Sequence, residues 1–234
     1  MNDSSIARVV GVLFSPTRTF EVIRERPTWL VAVVVLVAVS MISGYFVVQK
    51  LDIEDVVRSS IGNSSRQLSE NQLEQAIAIQ EKVIPVVSVA GPVVFLPAAF
   101  LLTALLFWVL LRMLGGEFSY KASFAATVHG LVPTGISALL SWPVVLSRGE
   151  LGFEEVRSGS ILASNLAVFA SEETSNAVRT LLASVDVFSI WSVVLLTIGF
   201  AVVARVSHAK ATAAVIGLWV VFILFKVGAA AISG

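Results

Sequence analysis

WLVAVVVLVAVSMISGYFVV, residues 29–48, is a run of twenty residues without a formal charge. A helix rises about 1.5 Å per residue, so twenty apolar residues cover the roughly 30 Å hydrocarbon core of a bilayer. Four further apolar stretches of at least this length follow, at 86–111, 122–147, 185–204 and 211–232, the last two with one formal charge each. The predicted fold is therefore an all-α membrane protein, a five-helix transmembrane bundle. Composition agrees: 56% of the 234 residues are hydrophobic and 14% are charged, and the mean hydropathy is +0.89. A soluble domain carries about a quarter of its residues as charges.

Charge placement orients the bundle. With the N-terminus inside, segments 1–28, 112–121 and 205–210 carry eight Lys or Arg and four acids, Asp3, Glu21, Glu25 and Glu117. The longer outer loops, 49–85 and 148–184, carry seven basic residues and eleven acids. Basic charge is thus denser inside, as the positive-inside rule requires, and five crossings put the C-terminus outside. Stretch 29–48 begins too far into the chain and lacks a clean small-x-small cleavage site, so it reads as a retained signal-anchor and not a cleaved signal. The formal net charge of zero gives no sign of a nucleic-acid partner. Cysteine is absent, which excludes disulfides, a thiolate nucleophile and cysteine-ligated metal, and no cofactor or metal motif occurs.

The chain divides into an interfacial segment, 1–28, and the five-span domain, 29–234. In the first, Ile6, Val9, Val10, Leu13 and Phe14 recur at helical spacing. Ser15 and Pro16 suit the N-cap and first position of a second helix, to Arg26, with Phe20 and Ile23 on one side and Arg18, Arg24 and Arg26 toward the other. Such basic amphipathic helices suit the headgroup layer of an anionic bilayer, as an anchor or as a docking platform for a partner. In the outer loops, Ser69 to Gln72 has capping-box spacing ahead of a helix that starts near Glu70 and runs into the second span. Ser59 to Arg66 reads as the turn before it. Ser171 to Asn176 starts a second short loop helix through Leu181 and Leu182.

Helix breakers concentrate in spans two and three: Gly91, Pro92 and Pro97 in one, Gly130, Pro133, Gly135 and Pro143 in the other. Proline removes a backbone donor, and in lipid the freed carbonyl needs a partner, so both spans are expected to face protein. Ala126, Gly130 and Thr134 form a small-residue stripe suited to close helix packing. A binding site at broken helices is the other reading, although no inverted repeat accompanies it. His129 invites a proton-relay or ligand role, or a neutral ring bonded to a carbonyl freed at Pro133. His208, between Arg205 and Lys210, reads as solvated. Asp186 and Lys226 are the formal charges within the spans. Pairing spans four and five about their short connection predicts that these two interact.

The same pair of spans carries a family resemblance. The run VDVFSIWSVVLLTIGF, 185–200, with Lys210-Ala211, Trp219 and Lys226, resembles the closing part of bacterial members of the Yip family, the Ypt-interacting membrane proteins. Ser15-Pro16 with Phe20, Gly91-Pro92, and GGEFSY at 115–120 leading to Gly130 and Pro133 extend the likeness over nearly the whole chain. The resemblance implies a five-helix integral membrane protein without catalysis, and an accessory role at the bacterial inner membrane in trafficking or export. In eukaryotic relatives it implies Rab-type GTPase partners and hetero-oligomers. This chain lacks their long acidic arm and reduces their Asp-Leu-Tyr-Gly-Pro motif to Ala90-Gly91-Pro92, so a GTPase partner does not carry over.

No phosphate loop, His-Glu-x-x-His, Gly-x-Ser-x-Gly or intramembrane aspartate pair is present, and Ser141 and Ser160 have no base in sequence placed to activate them, so an enzyme is not expected. Two readings remain. One is an adaptor or scaffold for other membrane proteins, as a homo- or hetero-oligomer. The other is a transporter or channel component with a site at spans two and three. An adaptor requires a solid interior, and a transporter a polar path.

Overall fold

The computed structural model describes residues 4–62, 69–152, 156, 161–171 and 173–232. Among these, helices account for the fold: α1 (Ser5–Phe14), α2 (Pro16–Glu25), α3 (Leu30–Val48), α4 (Ile53–Gly62), α5 (Glu70–Met113), α6 (Tyr120–Gly130), α7 (Val132–Ser147), α8 (Asn176–Ser184), α9 (Val187–Val203) and α10 (His208–Ile232). A short 3-10 helix, Leu166–Phe169, precedes α8, and two isolated bridges replace any strand among the described residues. Four helical stretches are long and apolar enough to cross a membrane: α3, α5, Tyr120–Ser147 and α10. The stretch expected as span four is α9, with 17 residues, the lower end of what a crossing needs.

The chain separates into two compact units whose boundaries cut the long helices. One comprises Met1–Val39, Val93–Ile136 and Phe188–Val221; the other, Ser40–Pro92, Ser137–Val187 and Phe222–Gly234. The first holds the main core, in which Phe107, Leu111, Leu195, Phe200, Val203 and Val215 gather around α6. Residues Ala122 through Gly130 of α6 are all buried, so this short helix is the centre of that unit. Small side chains make this possible, because Ala122, Ala125, Ala126 and Gly130 let neighbouring helices close in on every side. Ser119 caps its start by accepting from Ala122 N at 3.2 Å.

In the second unit, α3 and α5 meet at Gly44. A Cβ on Gly44 would overlap the Ser88 carbonyl, with its carbon at 2.8 Å. Ser88 lies four residues before Pro92, so its oxygen is the acceptor that the missing Pro92 N–H leaves over. The Gly44 hydrogen that stands in place of Cβ points at that oxygen, a Cα–H···O contact that partly satisfies it without water. Nearby, Trp142 Nε1 donates to Ser43 Oγ at 2.8 Å, and Phe46 packs edge-on against Trp142 at 5.6 Å. Outside the apolar helices, Leu151 N donates to Lys50 O at 2.7 Å, and among the described residues the two loops contribute Val57, Leu151 and Ala167 as buried apolar side chains.

Several expectations are corrected. Span two is not interrupted: α5 continues through Pro85, Gly91, Pro92 and Pro97, since each proline costs one backbone bond that a neighbouring helix can compensate. Nor does it face protein along its length, because Val93, Val94, Phe95, Leu102 and Leu105 are exposed. In span three the break is confined to Leu131, between α6 and α7; Pro133 sits in the first turn of α7 and Pro143 inside it. Thr134 is exposed, so the small-residue stripe buries only Ala126 and Gly130. Ser59 to Gly62 are helical, not a turn, and residues 63–66 of that expected turn lie outside the described ones, as does Ser160. The α5 helix begins at Glu70, with the Ser69 amide donating to Gln72 Oε1 at 3.0 Å, and Ser175 caps α8 through Val178 N.

Gly44→Ala is expected to cost about 1–3 kcal/mol through overpacking at the Ser88 carbonyl. Gly217→Ala on α10, where nothing lies within 4 Å, is expected to stay within about 0.5 kcal/mol of wild type. Thermal unfolding in detergent micelles measures both; equal loss in the two variants would remove the special role of Gly44.

Candidate functional site

Helices α1 and α2 are seated on the bundle, against α6 and, through Phe20, against α9. Phe20 of α2 is completely buried, and its ring covers Gly199 of α9 so closely that a Cβ there would stand 2.7 Å from two ring carbons. Ile23, one turn on, is equally buried in the same core. Phe200 follows Gly199 and stacks on Phe107 at 4.5 Å and on Phe118 at 6.3 Å. The placement follows from local sequence. Pro16 starts α2 and Thr19 Oγ1 donates to Ser15 O, which turns Thr19, Phe20 and Ile23 to one side. Gly11 of α1 lets Thr19 approach, since a Cβ on it would lie 2.8 Å from Thr19 Oγ1.

Arg8 of α1 is buried beside the entrance to α3: its Nη1 donates to Thr28 Oγ1 at 2.6 Å and to Arg26 O at 2.9 Å. Burying a guanidinium is costly without such partners, and these bonds tie α1 to the chain that leads into the first span. Trp29 then packs edge-on against Phe124 of α6 at 5.3 Å. Of the expected interface residues, Arg18 and Arg26 are exposed and Arg24 is half-buried, whereas Phe20 is a core residue and not a surface contact.

The connections on either side of α6 and α9 latch together. Gly116 N donates to Leu111 O at 2.8 Å, Glu117 N to Ala204 O at 3.1 Å, and Lys210 Nζ to Leu114 O at 2.7 Å. A side chain on Gly116 would meet the Leu111 and Ala204 carbonyl oxygens at 2.9 and 3.2 Å, so this position requires glycine. Arg205 takes the left-handed conformation, φ 55°, which ends α9 and turns the chain into α10. His208, at the start of α10, is exposed. Trp108 Nε1 donates to Phe118 O at 3.2 Å, and the Arg112 guanidinium lies over the Trp108 ring at 5.4 Å.

The intramembrane candidates are satisfied locally. His129 Nδ1 bonds Ala125 O at 2.8 Å, a carbonyl of its own helix and not one freed at Pro133. Ser123 Oγ donates to Ala104 O at 2.8 Å, and Thr127 Oγ1 to Ser123 O at 2.9 Å. Gly130 admits Leu196 of α9, whose Cγ would lie 2.8 Å from a Cβ there, and Pro133 is buried behind it. Gly91 and Pro92 are half-buried inside α5. Asp186 and Lys226 do not form the expected ion pair. The Asp186 carboxylate accepts from Ser164 Oγ, where residues 164–166 bridge back to the start of α9, and the Lys226 ammonium lies over Phe222 of its own helix at 5.9 Å. A loop segment 22 residues upstream therefore takes the position that hairpin geometry alone assigns to Lys226.

Sequence reasoning passed over Gly199, Gly44 and Arg8. Lone glycines inside otherwise large-residue apolar helices were the available signal for the first two. Arg8, on the strip opposite Ile6 and Val10, carried none that distinguishes it from a solvated arginine.

Comparison with known proteins bears on the same regions. The family model described as the Yip1 domain matches residues 10–229, nearly all of α1 through α10. The chain is similar to the membrane protein YknW of Bacillus subtilis (strain 168), with 26% identity over 219 residues that cover 92% of this chain and 88% of the relative. No solved structure matches.

Phe20→Ala is expected to destabilise the protein by about 3–5 kcal/mol, and Gly199→Ala by about 1–3 kcal/mol. If the two residues share one space, Phe20→Leu in the Gly199→Ala background is expected to recover part of the second loss. Unfolding followed by tryptophan fluorescence in micelles measures the cycle; strictly additive losses would mean that ring and glycine act independently.

Proposed function

The chain belongs to the Yip1 domain family, and from that premise we propose that this membrane protein is a non-enzymatic adaptor that organises other membrane proteins in a trafficking or export accessory role. The observation that carries the reading is how the polar side chains of the most buried helix are spent. Ser123, Thr127 and His129 on α6 each bond a helix carbonyl, in surroundings of alanine, valine and phenylalanine. A conduction path or substrate site needs polar groups directed at the cargo, and these are directed at backbone. The transporter alternative also loses one of its premises, because α5 is unbroken at Gly91 and Pro92. Ser141 Oγ likewise donates to a helix carbonyl, Ala138 O, at 2.7 Å.

In this reading the chain crosses a bacterial inner membrane five times, with α9 as the shortest crossing, about 26 Å long at 1.5 Å per residue. The basic residues of the N-terminal segment and of the α9–α10 turn support a cytoplasmic N-terminus and an extracytoplasmic C-terminus. The partners are other membrane proteins, as a homo- or hetero-oligomer, and the extensive apolar exposure of α5 and α10 leaves surface for them alongside lipid.

Purification from native membranes in mild detergent is expected to recover the protein with one or more membrane proteins in fixed ratio. Recovery as a lone monomer that conducts ions after reconstitution into vesicles would overturn the adaptor reading in favour of transport.

A further inference from the structure

The two faces of α1 have different fates. Arg8 and Val12, four residues apart, are buried against the bundle, and Gly11 meets Thr19 of α2. On another face Ile6, Val10 and Phe14, also four apart, form a stripe with exposures of 67, 51 and 82%. A water-facing helix does not present three large apolar side chains in register while arginine lies buried beneath it. We infer that this stripe is seated in the acyl chains of the leaflet from which α3 departs, so that α1 is a lipid-inserted helix carried by the folded bundle.

The height of α1 supports a lipid occupant. Arg8 bonds Thr28 and the Arg26 carbonyl, immediately before α3 begins at Leu30, itself an exposed apolar residue. The helix is thereby held level with the first turn of a membrane-crossing helix, at the boundary between headgroups and acyl chains where amphipathic helices bury their apolar side. Arg18 and Arg26 stay exposed on the same segment, and Tyr120 and Trp108 pack together at 6.3 Å at the adjoining ends of α6 and α5. Exposed cations beside an apolar stripe match a surface of anionic phospholipid, with its phosphates above its chains. A second copy of this chain fits less well: three side chains on a ten-residue helix fall far short of the roughly 800 Å² per partner of a stable protein interface. The inserting residues are thus not those that the amphipathic pattern of α2 points to, since Phe20 is consumed by the core.

The chain has no cysteine, so single cysteines can be labelled without background. Ile6→Cys, Val10→Cys, Phe14→Cys and the reference Arg18→Cys would each carry a nitroxide, in the full-length protein reconstituted into phosphatidylethanolamine and phosphatidylglycerol vesicles. Power saturation is expected to show the three stripe labels several-fold more accessible to oxygen than to a water-soluble nickel chelate, and the Arg18→Cys label the reverse. Nickel accessibility at the stripe equal to that at Arg18→Cys would overturn the inference by placing α1 in water. Protection from both reagents, with spin–spin broadening, would overturn it by assigning the stripe to a second copy.

Discussion

A buried aromatic ring lying on a glycine is central to the contact that seats α1 and α2 on the bundle. Phe20 fills the space that Gly199 leaves on α9, and both helices also pack against α6. Full burial of a phenylalanine is worth about 1.5–3 kcal/mol, enough to make a ten-residue helix part of a core although it would be marginal alone. Ile23 and Val12 join the same core, so α1 and α2 are structural elements of the bundle and not a tail appended to it. Once α2 is fixed, the helices that surround it are fixed relative to it: Phe200 next to Gly199 stacks on Phe107 and Phe118, and Arg8 ties α1 to the entrance of α3.

In each unit, the satisfaction of polar groups expected in lipid is visible. The Ser123 and Thr127 hydroxyls and the His129 imidazole close onto helix carbonyls, whereas the buried Ser192 hydroxyl on α9 has no partner among the described residues, and the Ser88 carbonyl left over by Pro92 meets the bare Cα of Gly44. The connections 114–117 and 204–210 latch through backbone and Lys210, so the ends of α5, α6, α9 and α10 within this unit are held by bonds that need no partner protein. In the adaptor reading proposed above, interaction falls on the surface, on the exposed apolar faces of the helices.

Much of this was legible in the sequence. The all-helical class, the apolar stretches and the Pro16 start of α2 follow from periodicity and helix-start chemistry, which act locally. Family membership was legible too, from motifs spread along the chain and now from the match over residues 10–229. The errors share a cause. Proline in an apolar run reads as a break, because the sequence does not show that a neighbouring helix can compensate a single lost bond. The Asp186–Lys226 pair was read from hairpin geometry, whereas the partner of Asp186, Ser164, comes from a loop whose path no pattern discloses. Phe20 was placed at the interface because one apolar side of a short helix looks the same whether it meets lipid or a glycine on α9. The decisive facts were tertiary.

The most direct test of a docked N-terminal segment is hydrogen exchange of the backbone amides of residues 5–25 in the reconstituted protein, compared with those of α6. If Phe20 seats the segment on the bundle, the amides of α2 around Phe20 and Ile23 are expected to be protected to nearly the same degree as those of α6, and Phe20→Ala to lose that protection while α6 keeps most of its own. Exchange of α2 at the rate of a free helix in the wild-type protein would contradict a docked segment and make it a mobile arm.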